Sequence, residues 1–213
     1  MAVQENLNRI LKDVESYPVK LIAVTKYYDI EKMIEAFNAG LRDFAESKAL
    51  DAIEKIGKID DTTKSQSVYH FIGHLQTNKV KYVVGNFDYI HSLDSLKLAQ
   101  CIDIEAKKKG IIQKVLIQVN NAKEPQKFGI APNELDNLID EVAKLTSIEL
   151  KGLMNIAPFG ASEDELRTLF SQMRELKERY GLEELSMGMS DDYKIAVECG
   201  ATMIRLGRIL FEN

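Results

Sequence analysis

From Val19 onward, short runs of β-branched and aliphatic residues alternate with stretches whose apolar positions recur every third and fourth residue. The short runs read as buried strands and the periodic stretches as amphipathic helices. Their regular alternation is the signature of parallel βαβ units. Candidate strands are Val19 to Thr25, Asp43 to Glu46, His70 to His74, Tyr89 to Leu93, Lys114 to Asn120, Glu149 to Ile156, Glu184 to Gly188 and Met203 to Gly207. Eight strands of this kind predict an α/β fold closed into a (β/α)8 (TIM) barrel. An open doubly wound sheet is the alternative, but the Gly-x-Gly-x-x-Gly turn of its dinucleotide-binding version is absent after the first strand.

Helix punctuation supports this parse. Asp29 can cap a helix carrying Ile30, Met33, Ile34 and Phe37 on one face, with Gly40 just past its end. Pro132 stands in a first turn ahead of Leu135, Leu138, Ile139, Val142 and Leu145. Ser162 to Glu165 forms a capping box before Leu166, Leu169, Phe170, Met173 and Leu176, and Gly181 supplies the stop. An extra N-terminal helix, with Val3, Leu7, Ile10, Leu11 and Val14 on one face, ends at Tyr17-Pro18 and is expected to pack across the barrel. Gly57 to Ser67, rich in Asp, Thr, Lys and Ser, reads as a mobile loop.

Composition narrows the function classes. With 213 residues, 45% hydrophobic and 29% charged, the chain suits one domain over residues 1–213 with a full core. A net charge of -5 with interspersed signs leaves no basic footprint for nucleic acid, and Lys107 to Lys109 suit a helix end. No apolar run reaches the roughly 20 residues that cross a bilayer, and the first residues carry no signal-peptide core, so a cytoplasmic protein is expected. Cys101 and Cys199 are isolated within helical patterns and read as packing residues.

Three features bear chemistry. Lys26 closes the first β-branched run and precedes a helix start, which puts it at a strand's carboxyl end. That end of a parallel barrel faces the ligand, and a partly desolvated amine there can attack a carbonyl. A solvated lysine that merely ends the strand is the plainer alternative. Barrels of this class often bind phosphate in the loops after strands seven and eight. Ser190 follows strand seven and is placed to cap a helix over Asp191 to Cys199, with a plain N-cap as the competing role. After strand eight, Gly207 permits close backbone approach and shares a strand face with Arg205, which is either a ligand contact or half of an internal ion pair. Lysine, anion cradle and arginine together suit an aldehyde that carries a phosphate.

The residues themselves resemble a known family. Ala23 to Lys26, the run His70-Phe71-Ile72-Gly73-His74-Leu75-Gln76-Thr77-Asn78-Lys79, Ile90 to Asp94, Val115 to Asn120, Lys151 to Met154, Leu185-Ser186-Met187-Gly188-Met189-Ser190 and Arg205 to Gly207 are similar to the pyridoxal phosphate homeostasis proteins, single-domain relatives of the alanine racemase barrel. The likeness runs nearly end to end. It implies pyridoxal 5'-phosphate (PLP) as cofactor, Lys26 as its Schiff-base lysine, Ser190 and the amides of Gly207 and Arg208 on the phosphate, and Arg205 facing the pyridine nitrogen. Ser47 and Met154 complete the implied cofactor contacts. Two positions depart from the usual family pattern: Phe44-Ala45-Glu46-Ser47 replaces Phe-Gly-Glu-Asn, and Gly207-Arg208 replaces Gly-Thr. The Arg208 guanidinium either pairs with the phosphate or swings out to solvent.

His70, His74 and His91 could be imagined around a metal, but without cysteine ligands or a Glu-x-x-His pattern, hydrogen-bonded neutral imidazoles are the expected role. Racemisation needs a base on each face of the substrate carbon, and in alanine racemase the second base is a tyrosine from another domain. The chain ends at Asn213, shortly after the last strand, so that domain is expected to be missing. Arg205 would also keep the pyridine nitrogen unprotonated and weaken the ring as an electron sink. The resemblance therefore implies a monomeric, non-catalytic carrier that stores, buffers or delivers PLP, with amino acids and PLP-dependent apo-enzymes as partners. The alternatives are a small racemase recruiting Tyr27 or Tyr28, and a phosphosugar enzyme using Glu46 and Asp94 beside Lys26.

Overall fold

The computed structural model describes residues 2–122, 124 and 128–212. Strands β1 (Lys20–Val24), β2 (Asp43–Glu46), β3 (Val68–Phe71), β4 (Tyr89–Leu93), β5 (Gln113–Gln118), β6 (Ile148–Met154), β7 (Glu184–Ser186) and β8 (Met203–Leu206) pair in chain order, all parallel. Pairing of Leu21 with Ile204 and Ala23 with Leu206 closes β8 onto β1, as the strand pattern predicts. The surrounding helices are α1 (Ala2–Val14), α2 (Ile30–Asn38), α3 (Ala49–Gly57), α4 (Asp61–Ser65), α5 (Val80–Val83), α6 (Leu96–Lys109), α7 (Leu135–Val142), α8 (Glu163–Arg179), α9 (Tyr193–Glu198) and α10 (Arg208–Phe211). None is long and apolar enough to cross a membrane among the described residues.

Period-two alternation splits the core into two layers. Ile22, Val24, Ala45, Leu116, Met154 and Met203 fill the barrel interior, while their neighbours Ala23, Phe44, Ile117 and Ile204 pack outward against the helices. The caps read from sequence are in place. Asp29 accepts from the Lys32 amide at 3.0 Å, and Ser162 and Glu165 form their reciprocal box.

Four expectations are corrected. The third strand is Val68–Phe71, not His70 to His74, because the chain turns at Gly73, whose α-carbon packs so closely on Ser47 that an added β-carbon would lie 2.1 Å from the Ser47 carbonyl oxygen. His74 therefore lies outside the strand. The polar stretch Gly57 to Ser67 is not a loop throughout. It contains α4, capped by Asp60, whose carboxylate accepts from the Thr63 amide at 2.9 Å. Leu11 is 48% exposed, since the buried stripe of α1 is the narrower set Val3, Leu7, Ile10 and Val14. Finally, α1 does not lie across the barrel. It packs on α10, α2 and α9, taking the outer place between the helices that follow β1 and β7. Asn6 fastens it by donating to the carbonyls of Leu210 and Glu212, at 3.2 and 3.0 Å.

Candidate functional site

Lys26 follows β1 by two residues and is half-buried, its ammonium 5.0 Å from the Tyr27 ring centroid. No carboxylate of the described residues lies within ion-pair distance of it. The backbone on either side is clamped from α3. The Lys55 ammonium donates to the carbonyls of Thr25 at 2.7 Å and Tyr28 at 2.8 Å, and pairs with Glu46 at 2.6 Å. Glu46 also accepts from the Thr25 hydroxyl at 2.7 Å. This largely buried cluster fixes the turn that carries Lys26 while leaving the Lys26 ammonium without an ion-pair partner among the described residues. Glu46, considered as an acid or base, is thus engaged by Lys55 and Thr25.

Next to it, the ends of β7 and β8 meet. Gly188 has φ of +91°, and a β-carbon there would come within 2.6 Å of the Ala196 β-carbon, so only glycine fits this turn. Its carbonyl accepts from the Arg205 amide at 3.0 Å. Ser190 does not cap α9, which begins at Tyr193, so the expected helix over Asp191 to Cys199 is shorter than predicted. Asp192 closes that turn instead by accepting from the Met189 amide, and burial pushes its carboxyl above the ordinary range. Ser190 reaches across to the other loop, where its hydroxyl oxygen accepts from the Ile209 amide at 3.4 Å. The amides of Gly207 and Arg208 find no acceptor among the described residues. Gly207 has φ of -114°, and a β-carbon there would make only ordinary contact with Val24, so its value lies in open space rather than in a strained turn. Arg208 swings outward and pairs with the exposed Asp191 at 2.8 Å.

Inside the barrel, Arg205 is buried and donates to Ser186 Oγ at 2.7 Å and to the Asn155 carbonyl at 2.8 Å. Burial brings its pKa down to about 10, with Asp192 opposing the shift, so it stays cationic at neutral pH. Among the described residues it is not half of an internal ion pair; its partners are neutral oxygens. Met154 is buried in the interior cluster beneath this region. Ser47 lies just past β2, the strand beside β1, and lines a cleft with His74 and Leu75.

Lys26, Ser190, Arg205, Gly207 and Arg208 thus sit at the converging ends of β1, β7 and β8, with Met154 below and Ser47 on the flank. Tyr28 is turned away: its hydroxyl donates to Glu212 at 2.7 Å, and burial with that carboxylate pushes its pKa up to about 12. Asp94, the other carboxylate considered as an acid or base, lies 3.5 Å from His74. Sequence reasoning missed Lys55, Ser186 and Asn155, whose roles depend on contacts between distant elements.

The chain matches the alanine racemase N-terminal domain family over residues 1–212. It is 36% identical to the pyridoxal phosphate homeostasis protein of Aquifex aeolicus, across 97% of this chain and 96% of that one. Identity with the pyridoxal phosphate homeostasis protein of a Synechocystis species is 39%, covering 91% and 90%. The solved structure of PipY from Synechococcus elongatus with PLP bound superposes with a TM-score of 0.89 at 36% identity, covering 98% of this chain and 99% of that one. The barrel, its end-to-end match and these relatives together show that the chain belongs to the pyridoxal phosphate homeostasis protein family, built on the alanine racemase N-terminal domain.

Proposed function

We propose that this protein is a cytoplasmic, monomeric carrier of PLP that stores, buffers and delivers the cofactor through a reversible covalent bond to Lys26. The observation that carries the reading is the meeting, at one barrel mouth, of a lysine with no ion-pair partner and two backbone amides with no acceptor among the described residues, beside a buried arginine. That donor set fits a phosphorylated aldehyde with a ring acceptor. Bound PLP supplies an aldehyde for an amine and a ring that can delocalise charge.

The chain's own residues then divide the work. Lys26 provides the amine. Ser190 and the amides of Gly207 and Arg208 hold the phosphate, and Arg208 reaches it only by leaving Asp191. Arg205 presents a fixed donor to the pyridine nitrogen, which keeps that nitrogen unprotonated and favours holding the cofactor over using it. Met154 supports the ring from the barrel interior, and Ser47 closes the side toward β2. Amino acids are proposed as amines that compete with Lys26, and PLP-dependent apo-enzymes as recipients.

A racemase would need a second base, and with Tyr28 tied to Glu212 the hydroxyl left beside Lys26 is that of Tyr27. The test is α-proton exchange of alanine in deuterated water, with chiral analysis, on protein titrated with PLP and followed by absorption. A saturable lysine adduct with negligible inversion is expected. Rapid inversion lost in Tyr27→Phe would replace the carrier with an enzyme.

A further inference from the structure

The barrel interior holds a continuous line of polar side chains that the site so far leaves unused. Arg205 donates to Ser186 Oγ at 2.7 Å, and Ser186 Oγ lies 3.0 Å from His91 Nδ1. His91 Nε2 lies 2.9 Å from His70 Nδ1, and His70 Nε2 lies 3.0 Å from the Asp43 carboxylate. The line runs from near the carboxyl end of β8 through β7, β4 and β3 to the first residue of β2. Ser186, His91 and His70 are fully buried, so water cannot complete their hydrogen bonding.

Proton bookkeeping gives the line one direction. An ionised Asp43 only accepts, so His70 donates from Nε2 and, if neutral, accepts at Nδ1. His91 then donates from Nε2 and accepts at Nδ1, Ser186 donates to it, and the Ser186 oxygen is left to accept from Arg205. Each ring N–H of the two imidazoles and the Ser186 hydroxyl proton has an acceptor in this arrangement. A protonated His70 would reverse His91 and leave the Ser186 hydroxyl proton without a partner. Cations flank the line at Arg205 and beyond Tyr89. Arg205 stands at one end, and the Lys20 and Lys114 ammoniums lie 5.7 and 5.2 Å from the Tyr89 ring that stacks on His70, with Lys20 paired to Glu184.

We propose that Asp43, His70, His91 and Ser186 are positioning residues, a one-directional hydrogen-bond chain that locks Arg205 as an oriented donor at the barrel mouth. Asp43, at the opposite end of its strand from Ser47, thereby sets how Arg205 meets a ring nitrogen. The consequence for PLP rests on the function proposed above; the chain itself does not.

The experiment uses full-length protein labelled with ¹⁵N-histidine and ¹⁵N-arginine, first without cofactor. Long-range ¹H–¹⁵N spectra at neutral pH should show His70 and His91 both protonated at Nε2 and bare at Nδ1. Arg205 side-chain protons should exchange at least about tenfold faster in Asp43→Ala and Ser186→Ala, and at the native rate in Asp43→Asn, which keeps an acceptor. An imidazolium at either position, the opposite His91 tautomer, or unchanged exchange in both alanine variants would overturn the proposal. With PLP added, Asp43→Ala should weaken retention several-fold and move the absorption maximum, with Asp43→Asn restoring both. Native retention and an unmoved maximum in Asp43→Ala would show that Arg205 is not set by the chain. Failure of the wild-type protein to bind PLP would remove the proposed function and leave the exchange result to decide the chain.

Discussion

A side chain's partner, more than its type, decides what it does at this barrel mouth. Arg208 stands where the family resemblance leads to an expectation of threonine, and its guanidinium is engaged by the exposed Asp191. Exposed pairs of this kind contribute about 0–1 kcal/mol, so Arg208→Thr should change stability in urea unfolding by no more than that. Because a threonine hydroxyl can reach the phosphate without first breaking a pair, the same variant should bind PLP more tightly in a titration. Unchanged affinity would mean that the phosphate is held by Ser190 and the amides alone. His91 carries a different consequence. Burial, reinforced by His70, Arg205 and Lys20, holds its pKa well below 6.5, so the folded protein refuses a proton that the unfolded chain accepts. Its contribution is complete above pH 6.5 and is lost as pH falls through 6.5 toward the folded value, by up to about 1.4 kcal/mol per pH unit. Melting temperatures followed downward from neutral pH should therefore fall, and less steeply in His91→Gln; parallel curves for the two proteins would contradict the assignment.

Between elements, the Lys55 clamp ties α3 to the turn after β1. Lys55→Met would leave the Glu46 carboxylate buried and unpaired, a loss of about 3–5 kcal/mol, and would free the turn carrying Lys26. Equilibrium unfolding should show that loss, and Glu46→Gln should cost less because it removes the charge that Lys55→Met strands. Equal small effects would mean that the clamp is solvated. The elements themselves were largely legible from pattern, since caps at Asp29 and Ser162 and the apolar periodicities are local signals. What pattern could not supply was context. The third strand stops at Phe71 because Gly73 must pass close to Ser47. Ser190 has the residue type of an N-cap, yet Asp192 takes that position because α9 starts two residues later than the pattern suggests. Likewise no local signal marks Lys55, whose role arises only when the fold brings it to the Thr25 and Tyr28 carbonyls.

On the scale of the whole molecule, eight strands counted along the chain suffice to predict closure, and the β1–β8 register completes the ring. The place of α1 was not legible, because an amphipathic face says that a helix packs and not where. In the fold it occupies the outer position between α2 and α9, so the N-terminal helix helps close the shell around β8. Closure matters to the site because it brings residues as distant as Lys26 and Gly207 to neighbouring strand ends, with the Val24 carbonyl oxygen 3.6 Å from where a Gly207 β-carbon would be. Nothing local in the sequence marks the polar line from Arg205 to Asp43; its members come from five strands and meet only inside the finished barrel. The central claim, that this mouth holds PLP through one lysine, is tested most directly by incubating the protein with PLP, reducing it with borohydride and mapping the labelled peptide by mass spectrometry. A single label on Lys26, absent in Lys26→Ala, is the predicted result; a label on any other lysine, or none, would contradict the account.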